Sequence, residues 1–357
     1  MVIEARTVIG MDIGKKFSWC QAISSSTKEV LKDQRLTNRK EDFLSYLSGL
    51  PGPIRLVMEA TGNWQHLYEC WDELGVEEIQ LAHPFKTKAI ASARIKTDKI
   101  DSGILAHLGM ADLVAQAYIP PRAVRDLREI LRHRAFLVAL QTKVKNRIHS
   151  YLWKLGITSE ETDLFGKRGL VWLRTLDPRE PYKSLIAQDL KVLEVLKEEI
   201  KEVTITIEKR AEKDPRVELI LPIRGIGRYS ALLILAEIGE IQRFPHYKNL
   251  VAFAGLCPST FQSGMVCYHG RITKQGSKWL RWILIEASQK YGKAPGRLGE
   301  LFRRIEKKKG SKTARVAVAR QILVAIYHCL KKEVIFDEHP NRVKRSCPTT
   351  PAWGAGR

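Results

Sequence analysis

Four acidic residues in the first third of the chain have the types and spacing to do chemistry together. Asp12 stands in Val8-Ile9-Gly10-Met11-Asp12-Ile13-Gly14, Glu59 closes Leu56-Val57-Met58-Glu59, and Asp98 and Asp101 lie three apart in Lys96-Thr97-Asp98-Lys99-Ile100-Asp101. Asp12 and Glu59 interrupt or end apolar, β-branched runs that read as buried strands. Asp98 and Asp101 fall in a stretch that reads as helix, so they share one face. A carboxylate in a core strand is costly unless something cationic meets it, and four converging carboxylates repel one another. A pair of divalent cations removes both problems. Two such ions activate a nucleophile and stabilise the leaving oxygen of a phosphodiester. Mg²⁺ suits the role because it takes few carboxylates and leaves positions for phosphate oxygens and water; Mn²⁺ is the alternative ion. In a strongly basic chain, an acidic cluster of this kind points to a metal site that cuts a polyanion.

The elements that must hold these residues can be read along the chain. Residues 7–31 read as two strands joined by a turn at Gly14-Lys15-Lys16, with Asp12 in the first. Residues 40–50 read as a short helix, 54–60 as a strand ending near Glu59, and Asn63–Gly75 as an amphipathic helix with Trp64, Leu67, Tyr68, Trp71 and Leu74 on one face. A short strand at Glu78–Ala82 precedes a long helical region through Asp98, Asp101, Leu105 and Leu108. This order gives an α/β domain, a mixed sheet with helices packed on it. Pro120-Pro121 marks its end.

The pattern then becomes helical. Arg122–Leu155 reads as a long helix with a basic face, and 156–181 as irregular. Residues 187–213 carry Leu193, Leu196, Ile200, Val203 and Ile207 in heptad steps, although the run Val203–Ile207 weakens the helix reading. Ile223-Arg224-Gly225-Ile226-Gly227-Arg228 reads as the turn of a helix-hairpin-helix module, whose glycines let backbone N–H groups face a phosphate. Phe253–Leu330 reads as helices with a loop at Cys257–Gly270. The predicted organisation is thus 1–120 for the acidic domain, 121–215 for a basic helix and coiled-coil segment, 216–335 for a mainly α-helical domain, and 336–357 for a flexible tail rich in Pro, Gly and Arg.

Composition restricts the partners. The formal net charge of +21 is concentrated: residues 121–155 hold nine Lys/Arg against two Asp/Glu, and 268–320 hold fifteen against three. Basic blocks interleaved with Trp, Tyr and His are the footprint of a nucleic-acid surface, for which the candidates are Arg125, Arg128, Arg132, Lys143 and Arg147 in the first block, Gly225 and Gly227 between the blocks, and Arg271, Lys274, Lys278 and Arg281 in the second. A surface made basic only for solubility would not need to be so localised. The six cysteines lack metal-ligand spacing and fit a reducing cytoplasm. Glu4 and Arg6 precede the first apolar run, so no signal peptide is expected. No apolar stretch is long enough for a bilayer, so no membrane partner is expected.

Asp12 followed by Ile13-Gly14 also occurs in actin-like phosphotransferases. A strand-end Glu and a helical Asp-x-x-Asp instead belong to the ribonuclease-H-like plan of RuvC-type resolvases. With Asp12-Ile13-Gly14, Glu59-Ala60-Thr61-Gly62 and Lys96-Thr97-Asp98-Lys99-Ile100-Asp101, the chain resembles the DEDD transposases of insertion-sequence family 110, including its 1111 subgroup. The resemblance continues through Gly225-Ile226-Gly227, Glu237-Ile238-Gly239, Phe253-Ala254-Gly255-Leu256-Cys257-Pro258-Ser259, Ser263-Gly264 and Gly270-Arg271-Ile272-Thr273-Lys274-Gln275-Gly276, covering roughly residues 7–330.

That resemblance implies a RuvC-like domain, a coiled-coil insertion and a C-terminal transposase domain that acts on element ends and target DNA. It further implies a serine nucleophile that forms a covalent phosphoserine link, which falls on Ser263, working together with the DEDD metal site. A guide RNA from the element, a homo-oligomer (dimer or tetramer) and a nucleoid-associated cytoplasmic location are implied as well. Two positions depart from the family pattern: Arg224 stands where proline is usual, and Gln262 where a second serine often precedes the glycine, leaving Ser263 alone. Ser259 is the second choice. A metal-dependent, structure-selective nuclease using water is the alternative, and a non-catalytic nucleic-acid-binding protein would leave the carboxylates purely structural.

Overall fold

A computed structural model of the chain describes residues 6–90, 97–263 and 266–338. It divides into two compact units, residues 1–120 and 121–357.

The first unit is built on a five-stranded sheet: β1 (Thr7–Ile13), β2 (Phe17–Ser24), β3 (Val30–Thr37), β4 (Ile54–Glu59) and β5 (Glu78–Ala82), in the order β3-β2-β1-β4-β5. β1 to β3 form an antiparallel meander, whereas β4 and β5 run parallel to β1. This mixed five-stranded sheet with helices has the ribonuclease-H-like arrangement. β3 is a strand beyond the two read over residues 7–31. Its sequence, VLKDQRLT, is polar because it lies at the sheet edge with most side chains part-exposed or exposed, which hides the strand signal.

Alternation along the strands divides the apolar side chains between two layers. Ile9, Met11, Ile13, Leu56 and Met58 face a core closed by α1 (Lys40–Leu47) and α2 (Trp64–Glu73). There Phe43 stacks on Trp71 at 4.5 Å between ring centroids, both fully buried. Replacing either by Ala costs about 3–5 kcal/mol. Val8 and Val57 face the opposite way, with Ala82, onto Leu105 of α4 (Asp98–Met110). The long helical region read before Asp98 contains α3 (Pro84–Ile90); residues 91–96, including Lys96, lie outside the described residues.

The second unit is mainly helical. α5 (Arg122–Lys154) pairs with α7 (Tyr182–Ala211), and α6 (Lys167–Thr175) lies in the segment read as irregular. The β-branched run in α7 stays helical because Val203 and Ile207 pack into the core of the unit, an apolar gain that outweighs weak propensity. Beyond it, α8 (Arg216–Ile220) and α9 (Arg228–Ile238) flank the Gly225–Gly227 turn, followed by α10 (Tyr247–Phe253). The segment read as a loop at 257–270 is instead the main part of an antiparallel hairpin, β6 (Pro258–Ser263) and β7 (Val266–Ile272). Then come α11 (Lys278–Ser288), α12 (Gly296–Lys309) and α13 (Ser311–Lys332). Most of the 336–357 tail, from residue 339, lies outside the described residues, as do Gly264 and Met265. Among the described residues, no helix is long and apolar enough to cross a membrane.

Candidate active site and nucleic-acid interface

The acidic residues are positioned by how α4 lies on the sheet. A Cβ at Gly10 would sit 1.9 Å from the Ser102 carbonyl oxygen and 2.4 Å from the Ala106 nitrogen, so only glycine allows the helix backbone this close to β1. A Cβ at Gly109 would meet Val57 of β4, level with Gly10, and Val8 of β1, two residues before it. Helix α4 crosses the sheet obliquely: Lys99 meets Asp33 of β3, a Cβ at Gly103 would meet Gln21 of β2, and the helix passes over Gly10 of β1 to Val57 of β4. Asp12 is two residues past Gly10 and Glu59 two past Val57, so by the pleat both belong to the α4 face. Met11 pairs with Met58, which makes Asp12 and Glu59 neighbours in register. On the helix, Asp98 and Asp101 each precede by four a residue of the buried stripe, Ser102 and Leu105, and so extend it beyond the apolar layer.

Three sets of bonds hold α4 in place. Arg55, buried within β4, donates to the Gly109 carbonyl at 2.7 Å and pairs with Glu78 and Asp112, anchoring the far end of the helix. Thr97 caps the near end by accepting from the Ile100 N–H. Lys99 meets Asp33 of β3 at 2.7 Å, and Trp19 donates to the same carboxylate. Burial raises the Asp33 pKa, but the bonds from Lys99 and Trp19 outweigh it and hold the carboxyl below its ordinary range. Sequence reasoning does not find Asp33, because nothing local distinguishes it.

Asp12, Glu59, Asp98 and Asp101 supply carboxylate oxygens, the donor type that a hard divalent cation takes. Thr61 and His83, just past the ends of β4 and β5, each bury a polar atom that has no partner among the described residues, leaving those strand ends polar and unfinished. Among the described residues, no three His, Cys, Asp or Glu side chains stand together as a ready metal-binding group. The side chains of the described residues thus form no closed cage.

Ser263 occupies the last position of β6, exposed, opposite Val266. The root of its hairpin is firmly tied: Thr273 N–H donates to the Cys257 carbonyl, Lys274 N–H to Gly255, and Ser277 N–H to Phe253. Ser277 caps α11 and also donates to Glu237, a carboxylate buried in α9. Arg281 donates to the Ala254 carbonyl, and its partial burial lowers its pKa from the usual guanidinium value. Ser259 is committed to the hairpin, donating to the Arg271 carbonyl at 3.1 Å. Arg271, Lys274 and Lys278 are exposed or half-exposed around this root.

The candidate cations of α5 are distributed differently. Arg125 is buried, Arg128 donates to the Ala236 and Glu237 carbonyls, Arg132 grips the Glu237 carboxylate, and Arg147 grips the buried Asp189 of α7. Lys143 is exposed. At the turn between α8 and α9, Gly225 has φ +86° and packs against the Ala287 backbone of α11, whereas open space surrounds Gly227.

Comparison with known proteins covers both units. A DEDD transposase model of the IS110 type, described as a transposase, matches residues 9–156, and a model for the transposase IS116/IS110/IS902 family matches 217–298. The chain is 27% identical to the transposase for insertion sequence element IS1111A of Coxiella burnetii, over 79% of this chain and 77% of that one. It is 23% identical to the transposase for IS1328 of Yersinia enterocolitica, covering 80% and 84%. A pilin gene-inverting protein of Moraxella bovis matches at 25% over 94% of this chain and 98% of its own.

Proposed function

The chain belongs to the IS110/IS1111 family of transposases, with a DEDD domain followed by a Transposase_20 domain, and from that premise we propose that it cuts and rejoins DNA through Ser263 and a DEDD metal site. As a transposase it is a DNA-processing enzyme, and the DEDD domain implies use of a divalent metal. Asp12, Glu59, Asp98 and Asp101 would hold that metal, which when bound supplies charge neutralisation and activation at a phosphodiester. The observation that carries this reading is the course of α4. The helix that carries Asp98 and Asp101 packs on the sheet face to which Asp12 and Glu59 belong by the pleat, and this supports the reading.

In the proposed chemistry the Ser263 hydroxyl attacks phosphorus and forms a phosphoserine ester as one P–O bond to the sugar breaks, the serine proton passing through water to the leaving sugar oxygen. The ester conserves the energy of the broken bond, so rejoining to a new end needs no ATP. Arg271, Lys274 and Lys278 are placed to meet phosphate charge, and the tied hairpin root holds the serine-bearing strand. Ser259 is disfavoured because its hydroxyl is already engaged. A relative named for gene inversion matches along nearly the whole chain, and inversion, like transposition, requires cutting followed by rejoining. A guide RNA, a dimer or tetramer, and magnesium, with manganese as the alternative ion, complete the proposal.

The test is cleavage of a supercoiled plasmid carrying an element junction, with its cognate non-coding RNA added. Chelation of divalent ions and Asp12→Asn should each abolish cleavage while duplex binding persists. Cleavage that survives both would refute the metal site.

A further inference from the structure

Outside the acidic face and the serine hairpin, the second unit carries a groove of about 790 Å³ between α5 and α11, open to solvent. Phe136 and Trp282 line it while substantially exposed, at 55% and 38%. Trp279 meets Trp282 edge-to-face at 5.9 Å, and His133 lies near-parallel to Phe136 at 6.3 Å. The rim is cationic: Arg132 lies 5.8 Å from the Trp279 ring centroid and Lys278 lies 5.7 Å from it. Glu129, the acid present, pairs with Arg132.

A contiguous exposed aromatic patch with a polar rim marks an interaction site, and none of these rings is needed by the chemistry proposed above. Lys278 gives the aromatic surface a positive edge, while Arg132 is held by Glu237 and Glu129. An occupant that satisfies both features has a flat π-face and a negative backbone. A second copy docking through the same face would bring its own basic blocks, 121–155 and 268–320, against these, so pairing through this groove meets repulsion. We propose that this groove is a stacking platform for unpaired nucleotides, RNA or DNA, held by ring stacking on Trp282 and Phe136 with backbone phosphates against Lys278. The assignment rests on the transposase reading and names a site for single-stranded segments within it.

The test uses the full chain and three ligands: short oligouridylate, oligothymidylate, and an abasic deoxyribose-phosphate oligomer of the same length. Base-bearing oligomers should bind more tightly than the abasic one and quench tryptophan fluorescence. The preferred sugar identifies whether RNA or DNA is the natural occupant. Trp282→Ala and Phe136→Ala should each weaken base-bearing oligomers by about 5- to 150-fold, as for loss of one stacked base, with duplex affinity unchanged. Trp282→Phe should keep most of the affinity. Equal binding of abasic and base-bearing oligomers overturns the proposal. So does a Trp282→Ala chain that binds them as wild type but changes from associated to monomeric in light scattering, which would assign the groove to a second copy. A wild-type chain that cleaves DNA yet ignores bases refutes this platform alone, whereas one that binds no nucleic acid refutes the transposase reading with it.

Discussion

The two basic blocks look alike in the sequence and are used differently in the structure. In residues 121–155, Arg128, Arg132, Arg134 and Arg147 bond to carbonyls, carboxylates or a hydroxyl of α7 and α9. In 268–320, Lys307, Lys308, Lys309 and Lys312 crowd the α12–α13 turn, exposed and without an ion pair among the described residues. The planar fork of arginine suits it to rigid bonding inside a fold, while lysine keeps a hydrated point charge in solvent. Charge density alone therefore does not separate a scaffold from a nucleic-acid surface. What separates them here is the presence of buried carboxylates, Glu237 and Asp189, about a hundred and about forty residues away in sequence.

Replacement of Arg132 should break the scaffold most. It leaves the Glu237 carboxylate buried beside Ser277, a neutral donor, without its cation. The cost should be about 3–5 kcal/mol, read as a lower denaturation midpoint. An unmoved midpoint with a flattened salt dependence of DNA binding would reverse the comparison. Arg147→Ala should cost less, about 1.5–3 kcal/mol, since Arg147 is half exposed while Asp189 is not. Lys143→Ala beside it should move stability by under about 0.5 kcal/mol.

The α12–α13 turn supplies the opposite case. Changing Lys307, Lys308, Lys309 and Lys312 to Ala should leave the midpoint nearly unchanged. The same change should reduce the salt slope of duplex binding by ~0.9 for each phosphate that these lysines neutralise. An unchanged slope would show the turn is not a binding surface.

The smallest effect concerns Asp214. Burial raises its pKa, but the neighbouring Arg216 guanidinium outweighs this and holds the carboxyl below its ordinary 3.8. The folded state then binds the proton less readily than the unfolded chain. The pair's stabilisation is therefore present above about pH 4 and lost as pH falls through the folded value. Asp214→Asn should remove that acid-limb contribution from a pH series of denaturation midpoints, and an unaltered acid limb would contradict the assignment.

Asp214 and Arg216 are two residues apart, and proximity of that kind is legible in sequence. So are the strands bearing Asp12 and Glu59, because apolar β-branched runs are local, and the helical phase of Asp98 and Asp101. The course of α4 across the sheet is not legible, since it depends on the backbone space left at Gly10 and on Arg55 reaching Gly109. Nor is the hairpin behind Ser263: β6 and β7 are short, polar and largely exposed, and lack the alternation that marks a half-buried strand. The serine itself stands out by family resemblance rather than by its surroundings.

Ser263 is accordingly where the proposed chemistry is most directly tested. Cleavage reactions stopped in denaturant should contain a protein–DNA species that withstands the denaturant and disappears with protease. The Ser259→Ala chain should form it, and Ser263→Ala should lose it while still binding DNA. A Ser263→Ala chain that yields the adduct at the wild-type level would contradict the assignment of the nucleophile.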